Sequence, residues 1–242
     1  NIERVQMGEG KYFYINLDGE NNVDEMRNIV VRGGDSLFMF VRANIDPQEE
    51  NIPVLVEDDI AFGVNGKWQH IRLQAYGQNI EKIRGKNGLK VYKNLTLKNT
   101  KPYLLYDTVV VAGNLTIEAG TTIYMHTGAM IYAYGNVSAT GTKEQPIIFR
   151  GDRTDNMFDY LPYDRVPGRW GGVVIDSTSN GNTIAHCDIH GAEYGIRVER
   201  GDTTAQRLTV TSSKLHNFKG HALELYASRA NVSNSLIANA QG

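Results

Sequence analysis

Three segments near the C-terminus are versions of one another. Residues 183–191 read T-I-A-H-C-D-I-H-G, residues 209–217 read T-V-T-S-S-K-L-H-N, and residues 231–239 read N-V-S-N-S-L-I-A-N. The spacing is 26 residues and then 22. A repeat of this length with strand chemistry implies stacked coils, each burying its apolar face only against its neighbours. Alignment sets Ile184, Val210 and Val232 in one inward ladder and Ile189, Leu215 and Ile237 in another. Cys187, Ser213 and Ser235 form a small-residue ladder, and Ile196 aligns with Leu223. Outward positions then pair by charge, Asp188 with Lys214 and Arg197 with Glu224, which supports the register because facing side chains on adjacent strands interact. Gly191, Asn217 and Asn239 share a corner, and Gly and Asn accept a left-handed backbone.

The same strand-and-turn texture begins near Thr96, with short apolar runs at 115–117, 121–125, 129–134, 137–139, 147–150 and 173–175. The chain of 242 residues has 25 Gly and 13 Tyr but only six Pro, and almost no apolar spacing of helical period. Before residue 80 the pattern is antiparallel. Leu37, Met39, Val41, Ala43 and Ile45 alternate, as do Ile60, Phe62 and Val64, then Ile71, Leu73 and Ala75 after the hairpin signal Asn65-Gly66. Runs at 12–15 and 29–32 give five expected strands, with turns at Gly33-Gly34-Asp35 and Asp46-Pro47. The reading is all-β: an immunoglobulin-like β-sandwich over 1–80 whose first strands are missing, a polar linker over 81–95, and a right-handed parallel β-helix of about five to six coils over 96–242. With no element to cover the last coil, the chain is expected to be a piece of a longer protein.

Bulk properties narrow the function. A net charge of -2 with no Lys/Arg cluster excludes a nucleic-acid partner, and no apolar run is long enough to span a membrane. One cysteine gives no intrachain disulfide, and the first ten residues carry no signal peptide.

Residues 115–152, with Pro167–Val173 and the repeats after them, resemble the right-handed parallel β-helix proteins of Bacteroidota surfaces, a pectate-lyase-like solenoid. Those proteins often carry an immunoglobulin-like domain ahead of the helix, and residues 35–41 and 56–60 look like that domain. The resemblance implies a secreted or outer-membrane location, with membrane attachment only through a lipid anchor whose cysteine is not in this sequence. It supplies no catalytic residues and no cofactor.

The side chains offer few sites. A glycosidase needs two carboxyl groups flanking the sugar bond, but Asp188 and Glu224 each face a cation in the aligned repeats. No catalytic residue is assigned. The insertion 151–168 places Asp152, Asp155 and Asp159, weak metal candidates without EF-hand spacing, among Phe158, Tyr160 and Tyr163. The other aromatics suited to a ligand are Tyr132 and Tyr134, which alternation puts on one side, and Tyr194 and Tyr226. His190 and His216 align on successive coils, but a structural zinc site wants four ligands, so a polar ladder is favoured. Cys187 is read as buried packing. Ser36, Thr108 and Thr203 each follow an Asp in short motifs resembling Bacteroidota O-glycosylation sites. N-x-S/T patterns at Asn94, Asn114, Asn136 and Asn231 are read as corner residues beside strands.

The expected function is a non-enzymatic binding or adhesion module for a polysaccharide or a surface protein. The alternatives are a polysaccharide lyase or hydrolase with its active site outside this segment, and a structural spacer.

Overall fold

The structure is a computed structural model describing residues 1–21, 24–45 and 54–241. Two compact units divide between Asn79 and Ile80. The Asp46-Pro47 turn lies outside the described residues.

The first unit holds two antiparallel sheets. One orders the strands Glu25–Ile29, Ile2–Met7, Val54–Val64 and Lys67–Gly77, and the other orders Glu20–Asn21, Phe13–Leu17 and Met39–Ala43. That makes seven strands among the described residues where five were expected. Ile2–Met7 was missed because its charged Glu3 and Arg4 break the apolar alternation, yet Val5 and Met7 are buried. Val5, Phe13, Ile15, Val56 and Ile60 are at the centre of its core. Asn65 and Gly66 both have positive φ, as the hairpin signal requires. Met39–Ala43 departs from the half-buried strand expected: Val41 is exposed, and Leu37, Met39 and Ile45 only pack against the core from its margin.

The second unit is a parallel β-solenoid of the right-handed type. Sheet 1 starts with Glu81–Ile83, sheet 2 with Leu89–Tyr92 and sheet 3 with Leu95–Leu97. Each later turn adds one strand to each sheet, giving seven strands in sheet 1 and six in sheets 2 and 3. The described residues therefore make six full turns and open a seventh with Leu236–Ala240, against the five to six coils expected. The difference lies in residues 81–95. They were read as a polar linker, yet they carry the first turn. Its strands are short, and Leu89 and Val91 are exposed, so the apolar pattern is thin there.

The aligned ladders are observed. Ile184 pairs with Val210 and Val210 with Val232, while Ile189 pairs with Leu215 and Leu215 with Ile237. Ile184, Ile189, Val210 and Leu215 are at most 1% exposed. Asp188 stands over Lys214 and Arg197 over Glu224. The corner at Gly191, Asn217 and Asn239 is left-handed at all three residues. A second left-handed corner, at His186, Ser212 and Asn234, joins sheet 3 to sheet 1. His186 and Ser212 gave little warning of it, since serine does not favour positive φ and histidine does so far less than glycine.

The inward small-residue ladder stitches that second corner. Backbone N–H of Cys187 donates to Ser213 Oγ at 3.1 Å, and backbone N–H of Ser213 donates to Ser235 Oγ at 3.2 Å. Ser213 Oγ donates on to Thr211 O at 2.8 Å and Ser235 Oγ to Ser233 O at 2.8 Å. Cys187 is buried, and burial pushes its thiol up to about 12, which leaves it protonated and inert as a nucleophile.

The register makes opposite demands on adjacent residues of one strand. Leu215→Ala should cost about 2–5 kcal/mol, because Leu215 is wholly buried and its removal leaves a cavity. Lys214→Ala should cost at most ~1 kcal/mol, because its contact with Asp188 is long and at the surface. Urea unfolding of both variants checks this, and equal losses would mean the faces are assigned wrongly.

Candidate functional site

Two outward clusters stand out, one on sheet 1 and one on sheet 2.

On sheet 1, His190 is nearly buried between two carboxylates. Its Nδ1 lies 2.8 Å from Asp188 Oδ1 and its Nε2 lies 2.9 Å from Asp164 Oδ1. His216, directly over it, places Nε2 3.0 Å from the same Asp188 oxygen. Asp164 belongs to the insertion and also meets Arg150 at 2.8 Å. Trp170 completes the attachment: it is 1% exposed and donates from Nε1 to His190 O at 2.9 Å. The insertion thus packs back on the solenoid through Trp170 and a charged Asp–His–Asp sandwich.

The electrostatics follow from this geometry. Burial by itself would lower the His190 pKa, but the bonds to Asp164 and Asp188 and their negative charge carry it up to about 9. Burial would raise Asp188, but hydrogen bonds from His190 and His216 overcome it and hold the carboxyl well below its usual range. Asp164 is lowered in the same way, against its burial, by His190 and then Arg150.

Asp188, His190 and His216 are the one group of three metal-type donors among the described residues. They do not fit a metal. The two imidazole rings are stacked 4.8 Å apart and only 13° from parallel. A zinc ion sits about 2.0–2.1 Å from a ring nitrogen, in that ring's plane, and two separated parallel planes share no such point. The polar-ladder reading of His190 and His216 agrees with this geometry.

The insertion's other candidates are dispersed. Asp152 pairs with His126 at 2.5 Å, Asp155 is held by Arg153 Nε at 2.6 Å, and Asp159 is exposed in a hairpin turn. No common metal point joins the three. Phe158 and Tyr160 stack on each other at 5.7 Å and 13° and face solvent. Tyr163 instead lies beneath Arg153 at 3.9 Å and Arg169 at 5.1 Å, as a packing post. Of the modification candidates, Ser36 and Thr203 are exposed outside strands, and Thr108 is half-buried in a sheet 2 strand paired on both sides.

On sheet 2 the register builds two outward columns. The first runs Val91, Val110, Tyr132, Val174, Arg197, Glu224. Backbone bonds carry the ladder two residues further, from Ala112 to Tyr92, Tyr134 to Val111, Asp176 to Ala133, Glu199 to Ile175 and Tyr226 to Val198. Ala112, Tyr134, Asp176, Glu199 and Tyr226 therefore form a second column on successive turns. Strand alternation sends both columns outward, because Val111, Ala133, Ile175 and Val198 between them are buried.

This column contains a tyrosine pair and two acids. The Tyr132 and Tyr134 rings are 5.0 Å apart. Tyr132 Oη donates to Asp176 Oδ2 at 2.9 Å, and burial together with that bond pushes its hydroxyl up to about 12. Asp176 Oδ1 accepts from Thr178 N at 2.9 Å, Thr178 Oγ1 at 2.9 Å and Ser177 Oγ at 3.2 Å. Those bonds outweigh burial and keep its carboxyl ionised. Glu199 sits beside it on the next turn. Tyr134 and Tyr226 are 44% and 47% exposed and flank the acids on either side. Tyr194 is not part of this platform; it lies under Arg197, which is 4.4 Å from its ring.

A buried cation positions the backbone beneath. Arg207 is 0% exposed and donates to Ser179 O at 2.6 Å, Asp176 O at 2.7 Å and Glu199 O at 3.3 Å. Ser228 Oγ, also near Glu199 O at 3.3 Å, donates to Tyr226 O at 3.0 Å. These bonds tie together the backbone under Asp176, Glu199 and Tyr226. Sequence reasoning missed Asp176, Glu199 and Arg207. The alignment of Arg197 with Glu224 held the signal for one pair: two residues on, it sets Glu199 over Tyr226.

Residues 89–206 match a family model described as a pectate-lyase like beta helix domain. No curated protein and no solved structure matches the chain. Among the described residues no helix is long and apolar enough to cross a membrane.

The His190 sandwich gives a pH prediction. A raised folded value makes its stabilisation complete below about 6.5, the unfolded value, and lost as pH rises through about 9. The lowered carboxyls of Asp164 and Asp188 work at the other end: their stabilisation is present above about 4 and lost as pH falls. Melting followed by circular dichroism should show the solenoid losing up to ~3 kcal/mol between pH 6.5 and 9.5, and His190→Gln should flatten that slope. An unchanged slope in the variant would mean that the proton is held elsewhere.

Proposed function

We propose that this chain is a non-enzymatic carbohydrate-binding module of a secreted or surface-exposed bacterial protein, with the ligand held on sheet 2. In this reading the first unit is an immunoglobulin-like sandwich that precedes the solenoid in the chain. The observation behind the proposal is the outward column in which Tyr134 and Tyr226 bracket Asp176 and Glu199 on consecutive turns. Aromatic faces offer apolar area to the C–H faces of sugars, and carboxylates accept hydrogen bonds from their hydroxyls. The match to a pectate-lyase like beta helix domain fits a carbohydrate-related role.

The state of the acids favours binding over catalysis. Between residues 170 and 241, Asp188, Glu193, Asp202 and Glu224 are each occupied by a cation or a threonine, and Asp176 is saturated by hydroxyls and an amide. Glu199 alone has no bonded side-chain partner among the described residues. Glycoside hydrolysis needs two carboxyl groups working together, one of them holding a proton near neutral pH. Among the carboxyl groups of this face the resolved shift is that of Asp176, and it runs downward, favouring the ionised form. A spacer role leaves the solvent-facing tyrosines without a purpose.

A glycan array followed by calorimetry on the best ligand tests the proposal. Tyr134→Ala and Tyr226→Ala should each weaken binding roughly five- to tenfold with the melting temperature unchanged, as loss of an aromatic anchor does. Binding that survives both substitutions would place the ligand elsewhere.

A further inference from the structure

We propose that the sheet 2 site, taken as the carbohydrate face argued above, selects uncharged glycans and rejects uronates, with the glycan lying along the solenoid axis. Three observations carry this.

The first is geometric. Tyr134, Asp176, Glu199 and Tyr226 occupy four successive turns of one column. At about 4.8 Å per turn the column is about 14 Å long. That length suits several linked sugar rings laid parallel to the axis. A chain crossing the sheet would meet one turn only, and so one member of the column.

The second is the lone-pair inventory. Asp176 has its oxygens filled by Tyr132, Ser177 and Thr178, and it acts as a fixed negative charge that also orients Tyr132. Glu199 is half-exposed on the adjacent turn with its acceptor sites open to a ligand. An ionised carboxylate accepts and cannot donate, so it pairs with two neighbouring hydroxyls of a neutral sugar. It offers a uronate carboxylate only repulsion, and the ionised Asp176 beside it adds to that.

The third is the charge of the surroundings. Arg197, the cation within these columns, is ion-paired to Glu224 and lies over Tyr194. Lys93 stands beside Ala112, three turns from Asp176. Arg200 follows Glu199 and is exposed. None of these is placed between the two acids and the tyrosines that bracket them, and Arg207 beneath the acids is wholly buried with its donors on backbone carbonyls, out of a ligand's reach.

The test uses the whole chain at pH 7 in 150 mM salt. Affinity electrophoresis and calorimetry are run with galactomannan and xyloglucan as neutral probes and with polygalacturonate and alginate as uronate probes. A neutral probe should bind at least tenfold more tightly than either uronate. Glu199→Ala should weaken neutral binding about tenfold without moving the melting temperature. Glu199→Lys should gain binding to a uronate probe. Equal or tighter uronate binding by the unaltered chain overturns the selectivity while leaving the carbohydrate reading in place. Neutral binding that Glu199→Ala does not change removes Glu199 from the site. If none of the four probes binds, the carbohydrate reading falls and takes this inference with it.

Discussion

Parallel stacking in register is the constraint on which the rest of the structure depends. Each turn lies about 4.8 Å from the next, so every side chain meets the residue at the same position one turn away. Inward positions must then be compatible with copies of themselves, and aliphatic residues are. Ile189 over Leu215 and Ile184 over Val210 bury continuous stripes that become exposed only at Val232 and Ile237. Outward positions are stacked just as strictly. Like charges would repel along a column, and two columns alternate them, Asp188 over Lys214 and Arg197 over Glu224; the exception is Asp176 next to Glu199, where the buried Arg207 lies on the carbonyls of both. Where two histidines do stack, at His190 and His216, Asp188 joins them by accepting from both rings.

The corners obey the same rule with polar groups. No buried side-chain nitrogen or oxygen among the described residues lacks a partner. At one corner, hydroxyls of Ser213 and Ser235 take the backbone N–H groups of the preceding turn. At the long loops between sheets 2 and 3, the guanidinium of Arg207 is wholly buried and spends its donors on backbone carbonyls. Burying a cation without a carboxylate is costly, and these charge-assisted bonds are what offset that cost. The consequence reaches the surface, because the carbonyls it holds belong to Asp176 and Glu199. The proposed ligand column is therefore fixed by a residue that no ligand could touch.

Much of this was legible in the chain, and the reason is the repeat itself. Two aligned copies were enough to set inward ladders, facing charges and a left-handed corner correctly, because stacking turns alignment into contact. Legibility failed where the copies diverge. Residues 81–95 read as a linker because the first turn is short and polar, though its strands pair like the others. Asp164 could not be joined to His190, since the insertion that carries it has no counterpart in the later turns. Asp176 lies outside the aligned copies, and Arg207 has no acidic partner in the alignment to draw attention to it. Tyr163 and Tyr194 looked like ligand platforms, but composition does not reveal that arginines already cover their rings.

On the solenoid, two exposed aromatic surfaces among the described residues compete for the role of ligand platform: the sheet 2 column, set on rigid strands, and the Phe158–Tyr160 stack on the insertion hairpin. A rigid, periodic face suits a periodic polymer, and on sheet 2 the acids and tyrosines share one column of successive turns, whereas Asp159 beside the Phe158–Tyr160 stack lies in a hairpin turn. Hydroxyl-radical footprinting of the intact chain with and without galactomannan separates the two directly, because it reads each aromatic side chain by mass. The account requires Tyr132, Tyr134 and Tyr226 to be protected while Phe158 and Tyr160 oxidise as before. Protection of Phe158 and Tyr160 with Tyr134 and Tyr226 unchanged would contradict it.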